Sequence, residues 1–114
     1  MKKTIIFLLT LLTSSGILPI KAQQWPVVKN EAKPGIRWWW PGSAVDKRNL
    51  SWNLEQFAKH GVGAIEITPI YGVKNNEANN IEYLSDKWME MLRFTEDEGK
   101  RLGIEVDMTT GTGW

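Results

Sequence analysis

Apolar residues along this chain occur in short runs that alternate with longer amphipathic segments. Three runs are rich in aromatic, β-branched or other apolar residues: Ile36 to Trp40, Ala64 to Thr68 and Ile104 to Met108. Proline or glycine follows each run closely, and these residues are poorly tolerated inside a hydrogen-bonded ladder. The pattern therefore predicts three short strands.

The segment after the first strand has the period of an amphipathic helix. Asp46 is a good N-cap, and we expect the helix to run from Lys47 to His60. Gly61 stands where a left-handed residue commonly ends a helix. The apolar positions recur at i, i+4, i+7 and i+8 and form one stripe, made of Leu50, Leu54, Phe57 and Ala58.

A second helix is predicted from a cap at Ser85 to about Leu102, where Gly103 ends it. The residues between the second strand and this helix, 71–84, are mostly polar, and connections of that length are usually functional or mobile loops. One side of the helix carries Trp88, Met91 or Leu92, Thr95 and Leu102.

The order strand, helix, strand, helix, strand is typical of a parallel sheet with right-handed crossovers. Three strands and two helices bury little surface by themselves, whereas a (β/α)8 barrel needs roughly 200–400 residues. We therefore interpret residues 36–114 as an α/β fold, the first three strands and two helices of an incomplete (β/α)8 TIM barrel. Residues 23–35 are an extended lead-in.

Alternation along the strands separates an apolar face from a polar one. The same parity turns Arg37, Trp39, Glu66, Glu105 and Asp107 toward the barrel interior. Buried charges are costly unless paired, so a structural ion-pair network is one interpretation, with Arg37 and Glu66 as the expected pair. We explain Glu105 in that way. Glu66 and Asp107 lie nearer the strand ends where barrel sites are built, and both interpretations stay open for them.

Seven tryptophans are an unusual number for 114 residues. We expect Trp38 and Trp40 to pack against the helices, whereas Trp39 is a candidate wall of a sugar site. An indole can stack on the apolar face of a pyranose while its N–H still forms a hydrogen bond. Tyr71, on the loop that leaves the second strand, is a candidate residue of the rim.

The first 22 residues have the pattern of a secretory signal peptide. A basic start at Lys2 and Lys3 precedes the apolar run from Ile5 to Leu12, and a small residue stands at Ala22. The run is too short to span a bilayer, and a retained N-terminal anchor is the alternative. We expect an exported protein, periplasmic or extracellular, with no membrane span once the leader is removed. The sequence has no cysteine, which excludes disulfides.

Removal of the leader leaves 11 basic and 13 acidic residues, a net charge of −2. The charges are dispersed and form no basic stretch, so nucleic acid is not an expected partner. Thr109 to Gly113 lacks the Lys-Ser/Thr ending of a phosphate loop, and His60 suits the last turn of a helix. The oxygen-rich segment 75–80 lacks the spacing of a calcium loop and is interpreted as solvated.

Three motifs in order give the chain a family resemblance. They are Arg37 to Asp46 (RWWWPGSAVD), Glu66 to Val73 (EITPIYGV) and Asp107 to Trp114 (DMTTGTGW). From about Lys33 to its end, the chain resembles the start of the catalytic barrel in glycoside hydrolase family 106, the bacterial α-L-rhamnosidases.

The resemblance implies an exported, inverting hydrolase of terminal α-L-rhamnosides, with calcium as cofactor and rhamnose-containing oligo- or polysaccharides as partners. In this family the catalytic acid and base are glutamates that lie farther along the chain, beyond residue 114. No catalytic residue is therefore assigned here, and the chain alone is expected to be inactive. The positions that the resemblance marks as substrate-binding are Arg37, Trp39, Glu66, Tyr71, Asp107 and Trp114.

Two alternatives remain open at this point. A small exported carbohydrate-binding module would use the tryptophans without any chemistry, and it would have to fold alone. A barrel glycosidase acting on another sugar would share the fold and differ in specificity.

Overall fold

The computed structural model describes residues 24–111. The predicted signal peptide and Trp114 lie outside these residues. Three strands and two helices alternate along the chain. One turn of 3-10 helix, Asn30–Ala32, precedes the first strand, and another, Glu77–Asn79, lies between the second strand and the second helix. The elements are β1 (Gly35–Pro41), α1 (Lys47–Lys59), β2 (Ala64–Ile70), α2 (Asp86–Leu102) and β3 (Glu105–Met108).

The three strands form a parallel sheet in the order β1-β2-β3, as the alternation of elements predicts. The expected end of β2 at Pro69 is wrong, because the strand continues to Ile70. The amide of Gly42 donates to the carbonyl oxygen of Ile70 at 3.0 Å, so the pairing of β1 and β2 persists beyond the proline. β3 begins one residue later than predicted, at Glu105.

Both helices begin where their capping residues predict, and α2 ends at Leu102 as expected, whereas α1 ends at Lys59, one residue earlier than predicted. The Asp46 carboxylate accepts a 3.0 Å hydrogen bond from the amide of Asn49 at the start of α1. The Ser85 hydroxyl accepts from the amide of Trp88 at the start of α2. Gly61 (φ +82°) follows α1 and Gly103 (φ +69°) ends α2, both in the left-handed region.

The core lies between the helices and one face of the sheet. An aromatic row crosses it, with Trp38 edge-on to both Phe57 and Trp40 at ring-centroid distances of 5.3 and 5.8 Å. Trp40 in turn contacts Trp88, and Trp88 contacts Tyr83. The predicted packing of Trp38 and Trp40 against the helices is thus confirmed. The remaining buried apolar residues are Leu50, Leu54, Ile65, Ile67, Met91, Leu92 and Ile104.

The lead-in is attached beneath the amino end of the sheet. The Asn30 side chain donates to the carbonyl oxygen of Gly63 at 3.3 Å, and the Gly63 amide donates to the carbonyl oxygen of Pro34 at 3.0 Å. These bonds place the lead-in at the opposite end of the strands from the loops of the site. Within residues 24–111, neither helix has the length and apolar character needed to cross a membrane.

Candidate functional site

The face of the sheet that the helices leave uncovered is polar and accessible. Arg37 and Trp39 of β1, Glu66 of β2 and Asp107 of β3 all lie on it. Their apolar neighbours along each strand contribute instead to the core. The predicted alternation is therefore confirmed for β1 and β3, and for β2 as far as Ile67, whereas Thr68, which shares the parity of Glu66, is buried. The uncovered face is the candidate site.

Arg37 and Glu66 form the ion pair that their parity predicts. The two residues are opposite each other in the parallel register, and Nε of Arg37 lies 2.6 Å from Oε2 of Glu66. The side chains are 54% and 35% exposed, so water screens the pair and its contribution to folding stability is small. The pair instead fixes the direction of a guanidinium and a carboxylate on an open surface.

Asp107 extends this arrangement across the third strand. It stands opposite Glu66 in the register of β2 and β3, so Arg37, Glu66 and Asp107 form one row across the sheet. A shallow depression of about 260 Å³ is lined by all three side chains. One carboxylate oxygen of Asp107 accepts from the amide of Met108 at 2.7 Å. The row is therefore a polar floor that can form hydrogen bonds with a hydroxyl-rich ligand.

Trp39 stands one level closer to the carboxyl ends of the strands than this row. Its side chain is 46% exposed, and Cζ of Arg37 lies 5.6 Å from the centroid of its ring. A cation over an indole face is an attractive contact that limits how the ring can turn. Trp39 thus presents a flat apolar surface beside the polar floor.

Tyr71 occupies the rim, directly after the carboxyl end of β2, with 71% of its side chain exposed. The amide of Gly42, just after β1, is shared between the carbonyl oxygens of Ile70 and Tyr71 at 3.0 and 3.1 Å. The two exit loops are therefore joined through their backbones. This attachment holds Tyr71 at the same edge of the sheet that carries Trp39.

A second attachment fixes the loop after β1 to the core. Ser43 is buried in the left-handed region (φ +49°), and its hydroxyl accepts from Nε1 of Trp88 at 3.0 Å. The amide of Ile81 donates to the carbonyl oxygen of Gly42 at 3.0 Å. The long connection 71–84 therefore folds back over the loop after β1, and Asn80 of that connection lies against Gly42 and Gly72. The residue pattern predicts only a solvated loop for Asn80 and gives no sign of this position.

The ion-pair network expected around Glu105 is wrong. Within residues 24–111 Glu105 forms no ion pair, because it lies at the amino end of β3, away from Arg37, with its side chain exposed. Its amide donates to the carbonyl oxygen of Gly63 at 2.9 Å. Glu105 therefore adds negative charge to this face without a partner in the described part of the chain.

The described residues offer no evident place for a metal ion. No group of three or more Asp, Glu or His side chains converges anywhere in residues 24–111. In the oxygen-rich loop, Asn79 donates to the side-chain oxygen of Asn76, and Glu77 accepts from the amide of Asn75. These two oxygens are engaged within the loop, and calcium rests on the resemblance alone.

Three carboxylates on the helices and at a helix cap have lowered pKa values. Hydrogen bonds from Asn49 lower the pKa of Asp46 at the start of α1. Lys47 and Lys87 lower the pKa of Glu90, and Arg101 lowers that of Glu98, all on the helices. These shifts belong to helix capping and to surface ion pairs.

Comparison with known proteins gives this architecture a family. The sequence profile described as alpha-L-rhamnosidase, glycoside hydrolase family 106, matches residues 27–114. A protein of Formosa agariphila named "Putative beta-glucuronidase" is 31% identical over 86 residues. Those residues are 75% of this chain and 7% of that protein.

A solved structure gives the same result at the level of the fold. The structure of a rhamnosidase from Novosphingobium sp. PP1Y superposes with a TM-score of 0.63 at 22% identity. The match covers 75% of this chain and 8% of that one, so the chain spans less than a tenth of the length of either relative. The family profile extends over all three motifs and most of the sequence. The chain therefore belongs to the alpha-L-rhamnosidase family, glycoside hydrolase family 106.

Proposed function

We propose that this chain forms one wall of the sugar site in an exported enzyme that hydrolyses terminal α-L-rhamnosides. The observation that carries the proposal is the open polar face, where Arg37, Glu66 and Asp107 form a row beside the exposed ring of Trp39. An apolar platform next to hydrogen-bonding groups of both kinds matches a pyranose, which has apolar C–H faces and a rim of hydroxyls.

The row offers both donors and acceptors to such a sugar. Among residues 24–111 the Arg37 guanidinium bonds a side chain through Nε only, so its two amino groups can donate to hydroxyls. Glu66 and Asp107 can accept from hydroxyls through their free lone pairs. We assign these residues, with Trp39 and Tyr71, to substrate binding. Trp114, outside the described residues, is proposed for the same role from the resemblance alone.

The charge of this face favours a neutral sugar over a uronic acid. Among its described residues, this face carries three carboxylates and one guanidinium. The carboxylates belong to Glu66, Glu105 and Asp107, and the guanidinium to Arg37. A ligand carboxylate would meet like charges, and such contacts cost several kcal/mol, roughly, in closed sites. Rhamnose is uncharged and does not meet this repulsion. The name of the Formosa agariphila relative nevertheless makes β-glucuronidase the second candidate activity.

We propose inversion at the anomeric carbon, as the family resemblance implies. An inverting enzyme needs one carboxylic acid and one carboxylate about 6.5–9.5 Å apart, with room for a water molecule between them. Glu66 is engaged by Arg37 and is assigned to binding, so we place neither role on this chain. The 114 residues are accordingly expected to bind sugar weakly and to lack hydrolytic activity.

The remaining parts of the proposal follow from the resemblance. The three parallel strands would be the first three of a (β/α)8 barrel, whose sites form at the carboxyl ends of the strands. Trp39 and Tyr71 lie at that end. Export through a signal peptide cleaved after Ala22 is proposed from the sequence pattern. Calcium is proposed from the resemblance alone.

The test is made on the full-length protein that contains this chain. It is incubated with 4-nitrophenyl α-L-rhamnoside and, separately, with 4-nitrophenyl β-D-glucuronide, and release of nitrophenol is measured. We expect turnover of the rhamnoside alone, with β-rhamnose as the first product in the NMR spectrum. Turnover of the glucuronide alone would replace the proposed activity by the second candidate.

A non-catalytic carbohydrate-binding module is tested with residues 23–114 expressed alone. A cooperative melt together with tryptophan fluorescence that responds to L-rhamnose would favour the module. If this fragment shows no cooperative melt, the result would favour a barrel that needs further strands and helices in order to fold.

A further inference from the structure

Asn80 occupies a place that two glycines leave open. A Cβ at Gly72 would lie 2.6 Å from Nδ2 of Asn80, and a Cβ at Gly42 would overlap the Asn80 carboxamide. Gly42 and Gly72 also approach each other, since the same Cβ at Gly42 would lie 3.0 Å from Cα of Gly72. Both loops therefore need glycine for the Asn80 side chain to reach this position.

The position lies at the carboxyl edge of the sheet. Gly42 directly follows β1 and Gly72 follows Tyr71, so Asn80 stands where the exit loops of two neighbouring strands meet. The backbone next to it is fixed, because the amide of Ile81 donates to the carbonyl oxygen of Gly42 at 3.0 Å. Asn80 is thus held in place by its surroundings, although its side chain remains exposed.

The Asn80 carboxamide has hydrogen-bonding capacity to spare. In the part of the chain that the structure describes, neither its oxygen nor its nitrogen has a hydrogen-bond partner. This differs from Asn79 next to it, whose side chain donates to Asn76 at 2.6 Å. A fixed carboxamide with one free acceptor and two free donors can bind a vicinal pair of sugar hydroxyls.

We propose that Asn80 is a further substrate-binding residue, which binds hydroxyls of the sugar at the rim of the site. The proposal rests on the glycosidase function proposed above. It gives Gly42 and Gly72 a role in the site, which is to admit a polar side chain between the exit loops. It also gives the connection 71–84 a part in determining specificity, through one residue that reaches the strand ends.

The test compares N80L with the wild-type full-length enzyme on an aryl α-L-rhamnoside and on its 2-, 3- and 4-deoxy derivatives. Leucine keeps the shape of the side chain and removes its hydrogen bonds. We expect kcat/KM of N80L on the parent glycoside to fall about 5- to 10-fold, the effect of one or two hydrogen bonds. For one deoxy derivative, kcat/KM should be the same for wild type and N80L, because that derivative lacks the hydroxyl that Asn80 binds.

A uniform loss on all four substrates, or no loss on any, overturns the proposal. N79L is the matched control, from the same loop, and it should retain the wild-type preference among the four substrates. If N80L fails to fold, N80A takes its place with the same expectations, since it only removes atoms.

The outcome for Asn80 can be separated from that of the proposed function. If the wild-type enzyme cleaves the glucuronide and not the rhamnoside, the rhamnosidase proposal fails and the comparison is made on deoxy glucuronides. If it cleaves neither glycoside, the inference about Asn80 falls together with the proposed function.

Discussion

Nε of Arg37 lies 2.6 Å from Oε2 of Glu66, although 29 residues separate them along the chain. The pair crosses two parallel strands on the side of the sheet away from both helices. A half-exposed pair of this kind stabilises a fold by about 0–1 kcal/mol. Its effect is to orient two groups on the candidate sugar-binding face.

Replacing Arg37 by alanine should impair catalysis more than folding. We expect kcat/KM on an aryl α-L-rhamnoside to fall at least about 10-fold, which is the loss of one charge-assisted hydrogen bond or more. The melting temperature of the full-length enzyme should change little. R101A is the matched control, because Arg101 also pairs with glutamates at the surface, but on the helices. Equal losses of activity in R37A and R101A would contradict the assignment of Arg37 to the site.

Trp39 and Trp52 allow a similar comparison of two exposed indoles. Trp39 is 46% exposed on the polar face of the sheet, and Trp52 is 59% exposed on α1. Removal of a stacking surface in W39A should raise KM or weaken product binding by roughly 10-fold, a typical worth of an aromatic contact. W52A should bind as the wild type does. Isothermal titration calorimetry of both variants with L-rhamnose measures this difference in binding affinity directly.

The bond from Trp88 to Ser43 should be a large local contribution to stability. S43A leaves the buried Nε1 of Trp88 without its acceptor, which costs about 1–3 kcal/mol. A double-mutant cycle with W88F isolates this term from the loss of indole volume. We expect a coupling of about 1 kcal/mol from urea midpoints. Additive effects of S43A and W88F would mean that the bond contributes nothing.

The cap of α1 should make stability depend on pH. Hydrogen bonds from Asn49 lower the pKa of Asp46 in the folded state, so the carboxylate stabilises the fold above its unfolded pKa of about 3.9. That contribution is lost as the pH falls through the lower folded value. D46N keeps a capping side chain without the charge. Relative to D46N, wild type should therefore lose stability as the pH drops below about 4, measured by thermal melts.

Helix caps, which depend on local chemistry, and strand faces, which depend on parity, are predicted well from the sequence. Asp46 and Ser85 cap their helices as expected, and Gly103 ends α2. Strand parity is enough to predict that Arg37 and Glu66 share a face of the sheet. Neighbouring parallel strands then pair in a register that places the two residues opposite each other.

The errors arise where distant segments meet. Pro69 was expected to end its strand, yet the strand continues to Ile70, whose carbonyl oxygen accepts from the amide of Gly42 just after β1. Glu105 was expected to find a partner, but the register places it a full level below Arg37. The position of Asn80 depends on the conformations of the loops after β1 and β2, and the pattern of residues along the sequence does not predict those conformations.

The two faces of this sheet differ in how much they contribute to folding. Ile65 and Ile67 hold the helices, while Glu66 between them contributes little to the core. Substitutions on the open face should therefore cost little folding stability, whereas substitutions on the helix-facing side disturb the core. If the open face binds the sugar as proposed, specificity can change through single substitutions at alternate positions of a strand while the fold is kept.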